Sequence, residues 1–315
     1  MKTPNFIFTM LQIPIILFLV LPDISNGAED VKLSMNITPS KEEIYSGEPI
    51  QLFVAFENNG KENASIDCGP NYVEAFAIEI RDMKGLTINK SDVQKLEGFR
   101  QRGNLFIPAA STIQISLPLN RWCSTTLPED QYKIVCHFMP WMESSVKPID
   151  ASHDLKVVKV DKNKLNIIFS NLTERAINST NNDEKCSAYE LISLSDSPLA
   201  INSQVQLVRK IPLVWRHYKI TLSDRVGAID GLKKIGSPEA VKGLISICDD
   251  TSLDNGDRDR ALTAIRDLRK TGDTNILQAT DDIIMKYEKR IGVESRQTTF
   301  GTNGIGSEKS AVTNE

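Results

Sequence analysis

The chain has 315 residues, with 37 basic side chains against 41 acidic ones and a formal net charge of -4. Both signs are spread along the sequence, so no basic stripe is present to hold a polyanion, and nucleic acid is excluded as an expected partner. Five cysteines are too few for the disulfide framework of a small secreted domain, and their odd number leaves at least one outside any pairing within the chain.

The opening segment predicts export. Lys2 gives a small basic start, and Phe6 to Leu21 is apolar apart from Thr9, Gln12 and Pro14 before Pro22-Asp23 breaks the run. This reads as a signal peptide over residues 1–27, with Ser25 and Gly27 at the small-residue positions and Ala28 at the mature end. The run is shorter than the roughly 20 apolar residues that span a bilayer and contains a proline, so no stable membrane insertion is expected once the signal is removed. The predicted location is periplasmic or extracellular. About 290 residues then remain, more than most single cores hold, and two domains are expected.

Residues 28–160 alternate as strands do. Val31, Leu33, Met35 and Ile37 point one way, and Ile50, Leu52, Val54 and Phe56 repeat the period. Turn signals follow at Ser46-Gly47-Glu48-Pro49, Asn58-Asn59-Gly60, Cys68-Gly69-Pro70 and Lys84-Gly85. Further runs lie at Phe76–Ile80, Ile113–Leu117, Tyr132–Phe138 and Leu155–Val160, giving the seven or eight short strands of a sandwich. Cys68 and Cys123 fall at loop positions and form a candidate disulfide, whereas Cys136, Cys186 and Cys248 read as small buried hydrophobes. The segments Ser46–Leu52, Asn58-Asn59-Gly60 and Leu127–Tyr132 resemble the immunoglobulin-like sandwich domains of exported bacterial proteins. The resemblance implies a fold and no activity; the antibody cysteine pattern is not reproduced.

After Asp161 the period becomes helical, beginning with Leu165, Ile168, Phe169 and Leu172. Ala228-Ile229, Leu232, Ile235-Gly236-Ser237 and Val241 recur 36 residues later as Ala264-Ile265, Leu268, Thr271-Gly272-Asp273 and Leu277. Ser237–Val241 also matches Ser197–Ile201, 40 residues earlier, with Ala228 meeting Ala188. Such a period marks paired helices that must stack to bury their apolar faces. Ser237-Pro238 reads as a helix cap and first turn, and Ser197-Pro198 as the same device. Arg225 to Ala240 and Arg260 to Ile276 resemble short HEAT repeats of the phycobilisome-lyase-like kind, a family mostly of binding scaffolds. The expected organisation is therefore multidomain: an all-β immunoglobulin-like sandwich over 28–160, an all-α HEAT-like solenoid over 161–291, and a disordered polar tail over 292–315.

Residues for chemistry are sparse. His137, His153 and His217 stand far apart, and no phosphate-cradling loop or nucleophile elbow is present. No catalytic, cofactor-binding or metal-binding residues are predicted, and no cofactor. The acidic run Asp249–Asp257 fails the calcium-loop pattern at Leu253 and reads as an inter-repeat loop capping the next helix. Trp215 and Tyr218, with Trp141, form a candidate aromatic interaction surface. Asn36, Asn63, Asn89, Asn171 and Asn178 begin Asn-x-Ser/Thr sequences, which read as coincidence in an asparagine-rich chain. The function expected is that of an exported non-enzymatic protein-interaction scaffold. One alternative is an inhibitor acting through sandwich loops such as Gly69–Tyr72 or Glu97–Asn104; another is an enzyme with a site between the domains.

Overall fold

The computed structural model describes residues 32–68, 75–88, 104–140, 147–211 and 223–301, with side chains in the last stretch described over 225–287. Nine strands come first among these: β1 Leu33–Pro39, β2 Glu43–Tyr45, β3 Gln51–Asn58, β4 Ala64–Asp67, β5 Phe76–Asp82, β6 Asn104–Ile107, β7 Ser111–Pro118, β8 Asp130–Phe138 and β9 Ile149–Val158. Seven α-helices follow: α1 Lys162–Asn178, α2 Asn182–Ser193, α3 Ile201–Lys210, α4 Ser223–Ile235, α5 Pro238–Cys248, α6 Asn255–Arg269 and α7 Thr274–Gly301. The chain is thus a β-sandwich followed by helices.

One sheet has the order β1-β3-β7 and the other β2-β9-β8-β5; β4 and β6 form a short ribbon. All named pairs are antiparallel except β2 with β9, so the first strand segment serves one sheet and the next crosses to the other. That is an immunoglobulin-like arrangement, and it carries a tyrosine corner: Tyr132, near the start of β8, donates its hydroxyl to Pro128 O at 2.9 Å. Alternation explains the core. Leu52, Val54 and Phe56 point inward from β3, with Val54 between Ile37 and Ile115 in register, and Phe56 meets Phe138 of the facing sheet edge-on at 4.8 Å.

Strand β9 begins at Ile149, earlier than the expected Leu155. Its inward residues there, Ile149, Ala151 and His153, are only half-buried and not uniformly apolar, so the hydrophobic period is weak although pairing with Ile134–Phe138 is complete. The strands β2, β4 and β6 were too short to show a period. Asp161 then caps α1, accepting from the amides of Asn163 and Lys164 at 3.1 Å each, so strand passes to helix with almost no linker.

Each helix touches its successor and, with one more step, the next but one. α1, α3, α5 and α7 make one row and α2, α4 and α6 the other. The second row is closely approached. A methyl group on Gly231 would stand 2.5 Å from Gln204 Nε2 and 2.6 Å from Ser193 O, and one on Gly227 would stand 2.7 Å from the Tyr189 hydroxyl. Gln204 is fully buried and donates to Ile192 O and Ser195 O, both at 3.0 Å, stitching α3 to the end of α2. Gly236 and Gly272 close α4 and α6 with φ of +61° and +76°, a left-handed geometry that favours glycine. Helix α7 continues to Gly301, past the expected limit at 291; a single interior glycine such as Gly292 costs about 1 kcal/mol and does not by itself end a helix.

Candidate interaction surfaces

Short caps and turns place the surfaces. Ser237 accepts from Ala240 N at 3.2 Å with Pro238 in the first turn, as the sequence predicts. Ser197 departs from that expectation: its side chain makes no cap, a 3-10 turn over Pro198–Ala200 precedes α3, and its hydroxyl instead lies against Gly47 of the sandwich. A methyl group on Gly47, whose φ is +95°, would meet Ser197 Oγ at 3.1 Å and Leu165 at 3.3 Å. Sandwich and helices are therefore in direct contact at this turn.

Polar bonds fix that junction. Asp196 accepts from Thr125 N at 2.8 Å, from the Thr125 hydroxyl, and from Ser124 Oγ at 2.8 Å. Lys234 of α4 reaches the same carboxylate at 3.9 Å and donates to Leu194 O at 3.3 Å. Nearby, Arg121 and Glu190 form a buried ion pair at 3.7 Å, and Gln51 Nε2 donates to Ser187 Oγ at 2.7 Å. None of this was legible beforehand, because each residue type is ordinary in its own segment.

Ion pairs also hold successive helical units. Arg260 meets Asp230 at 3.1 Å, Lys233 meets Asp267 at 2.7 Å, and Arg209 meets Asp250 at 3.0 Å. Hydrogen bonds from Lys233 and then Lys270 hold the Asp267 carboxyl down at about 2. The Asp249–Asp257 run is consumed in the same way. Asp254 caps α6 through Asp257 N at 2.9 Å, Asp250 accepts from Ser252, Asp249 pairs with Lys286, and Asp257 pairs with Arg225 at 2.6 Å. Burial pushes the Asp257 carboxyl up; at Asp254 burial also opposes ionisation, but the Asp257 amide and Arg225 outweigh it and the net shift is downward.

Among the described residues, two solvent-facing surfaces bear on function. On the first helical row Asn202 and Gln206 of α3, Glu239 and Lys242 of α5, and Asn275 and Gln278 of α7 face solvent. On the outer side of β2, β9 and β8 lies an open hollow of about 750 Å³ lined by Glu42, Glu43, Lys133, Asp154 and Lys156, with Met83 at its rim. Further along that sheet His137 Nδ1 lies 2.8 Å from Asp150 and its Nε2 3.8 Å from Glu79; among the described residues no group of three or more ligand-type side chains could hold a metal ion.

Cys68 and Cys123 are both fully buried in the sandwich core and are thiols in the structure; burial, with Asp67 adding, pushes the Cys68 thiol up to about 12. Cys136 and Cys248 are buried as well, and Cys186 is half-buried on α2. Trp215, Tyr218, Trp141 and the loops from Gly69 to Tyr72 and from Glu97 through residue 103 lie outside the described residues, as do residues 1–27. Among the described residues no helix is long and apolar enough to cross a membrane.

No family model matches the chain, and no curated protein matches it. Among solved structures, a CARDB domain from Pyrococcus furiosus, in complex with di-metal ions, is similar at 13% identity over 41% of this chain and 90% of that one, with a TM-score of 0.25. Spo0M, a sporulation control protein from Bacillus subtilis, is similar at 11% identity over 46% of this chain and 54% of that one, with a TM-score of 0.26. The alkylpurine DNA glycosylase AlkC from Pseudomonas fluorescens is similar at 16% identity over 40% of this chain and 30% of that one, with a TM-score of 0.22. At that distance the strand order and the tyrosine corner, rather than these likenesses, carry the immunoglobulin-like assignment.

Proposed function

We propose that the protein is an exported, non-enzymatic interaction scaffold of HEAT-like type, whose helical row α1-α3-α5-α7 receives a protein partner. The supporting observation is the division of labour between the two rows. The second row is engaged with the sandwich through α2 and close-packed at Gly227 and Gly231; the first row meets the sandwich at its α1 end, through Leu165 at Gly47 and Lys164 at the Tyr45 hydroxyl, and beyond it keeps Asn202, Gln206, Lys242 and Gln278 of α3, α5 and α7 on its solvent side. Stacked helix pairs present such a row as one extended surface. The sandwich is fixed to the first unit at Asp196 and gives that surface a set orientation.

The test uses the full chain. Crosslinked pull-downs from the envelope fraction are compared between the parent and a variant carrying Asn202→Arg, Gln206→Glu, Lys242→Glu and Gln278→Arg, all at exposed positions. Loss of the same captured protein, with an unchanged thermal melt, supports the reading. Undiminished capture by the variant, or absence of the protein from the envelope fraction, overturns it.

A further inference from the structure

The hollow on the outer face of β2, β9 and β8 is bordered by Met83, which shares a hydrogen-bonded turn with Leu86. Asp82 Oδ1 accepts from Lys84 N at 2.9 Å and Leu86 N at 2.8 Å, Gly85 N donates to Asp82 O at 2.9 Å, and Asp82 N donates to Leu86 O at 3.0 Å. Gly85, at φ +79°, turns the chain with nothing packed within 4 Å of where its side chain would be. This hydrogen-bonded turn holds Met83 at 68% and Leu86 at 63% exposure, among the most exposed large hydrophobic side chains described. Folding gains nothing from leaving two such residues in water, while a rigid turn spares a binding partner the entropy of ordering them.

Charge selects the occupant. Glu42, Glu43 and Asp154 line the hollow, and Glu129 and Asp130 stand close enough to act electrostatically on Lys156 and Tyr132. Of the two lysines inside, Lys156 is held by Glu43 at 2.6 Å. With Asp82 and Lys84 of the turn counted as well, six carboxylates (Glu42, Glu43, Asp82, Glu129, Asp130 and Asp154) stand against three lysines (Lys84, Lys133 and Lys156), so the balance is negative and disfavours phosphate, whether of nucleic acid or of an anionic lipid headgroup. A volume of about 750 Å³ open to solvent suits several side chains of an extended chain. We propose that this hollow, with the Met83 and Leu86 turn at its rim, binds a short basic segment of another protein, in which lysine or arginine lies beside an apolar residue. The surface is separate from the helical row and stands or falls independently of it.

The probe is a random peptide library displayed against the full-length protein. Enriched peptides are expected to combine basic with aliphatic or aromatic residues. A synthetic peptide from that set should bind about tenfold or more weakly, read by fluorescence anisotropy, to Met83→Asp/Leu86→Asp and to Glu42→Gln/Asp154→Asn, with added salt weakening it further. These positions lie at the surface, and unchanged melts confirm that the variants fold. Enrichment without basic residues, or peptide binding that both variants leave intact, overturns the proposal. So does sedimentation with phosphatidylserine vesicles that depends on Met83 and Leu86, which would assign the turn to a membrane.

Discussion

Replacing Asp196 by alanine isolates the junction between sandwich and helices. Its carboxylate is the acceptor for the backbone N–H and the hydroxyl of Thr125, which is fully buried, and for Ser124 Oγ nearer the surface. In the alanine variant the two Thr125 donors lose this acceptor inside the protein, at about 1–3 kcal/mol for each group left unsatisfied, while the Ser124 hydroxyl finds water. Allowing for partial relaxation, the expected loss is about 3 kcal/mol. Asp196→Asn keeps one carboxamide oxygen for Thr125 and gives up mainly the bond from Ser124, for about 1 kcal/mol. Urea unfolding of the full chain, followed by far-ultraviolet circular dichroism for the helices and near-ultraviolet dichroism for packing, measures both. A double-mutant cycle with Thr125→Val should return a coupling of about 1 kcal/mol or more. An alanine cost below about 1 kcal/mol, or an asparagine cost equal to that of alanine, would refute Asp196 as the acceptor that Thr125 depends on.

Glu190→Ala should destabilise by about 3 kcal/mol because it removes a counter-charge of buried Arg121, whereas Arg121→Met with Glu190→Leu should recover much of that loss; equal melts for the two variants would refute the assignment. Gly231→Ala should cost about 1–3 kcal/mol, because the carbonyl of Ser193 on one side is backbone and cannot simply swing away; a melt unchanged from the parent would refute the close approach. Asp267 should titrate near about 2, by carboxyl carbon NMR, against its ordinary value of 3.8. Because the folded value is the lower one, the stability that its lysines confer is complete above the ordinary value and disappears as the pH falls from there toward about 2. Lys233→Ala should move the midpoint upward, and an unchanged midpoint would detach Lys233 from it.

The sandwich was legible where one face of a strand is wholly buried. Leu52, Val54 and Phe56 announce β3, and Ile134, Cys136 and Phe138 announce β8, because inward positions there admit only apolar residues. Half of β9 was not, since its outward Asp150, Ser152 and Asp154 alternate with inward residues that are only half covered. The helical units were legible from Ala228 and Ala264, small residues that recur where α4 and α6 meet their neighbours. Neither the junction nor the hollow had a signal of its own. Met83 and Leu86 flank a lysine-glycine turn, and only their exposure distinguishes them from residues of a buried hairpin.

The weak first copy of the repeat has a structural cause. Aligned as Ser195-Asp196-Ser197, Ile235-Gly236-Ser237 and Thr271-Gly272-Asp273, the three turns share a position that is glycine twice and aspartate once. In the later two units the glycine closes its helix in the left-handed conformation, and the following residue caps the next helix through Ser237 Oγ or Asp273 Oδ1. In the first unit Asp196 gives up the glycine closure, Ser197 gives up the cap, and both side chains turn to Thr125, Ser124 and Gly47 of the sandwich. Lys234, from the second unit, completes the arrangement on Asp196. The departure from the repeat is therefore itself informative: the turn that matches its siblings least is the one that contacts another part of the fold, and Asp196 is where a change should be felt in both.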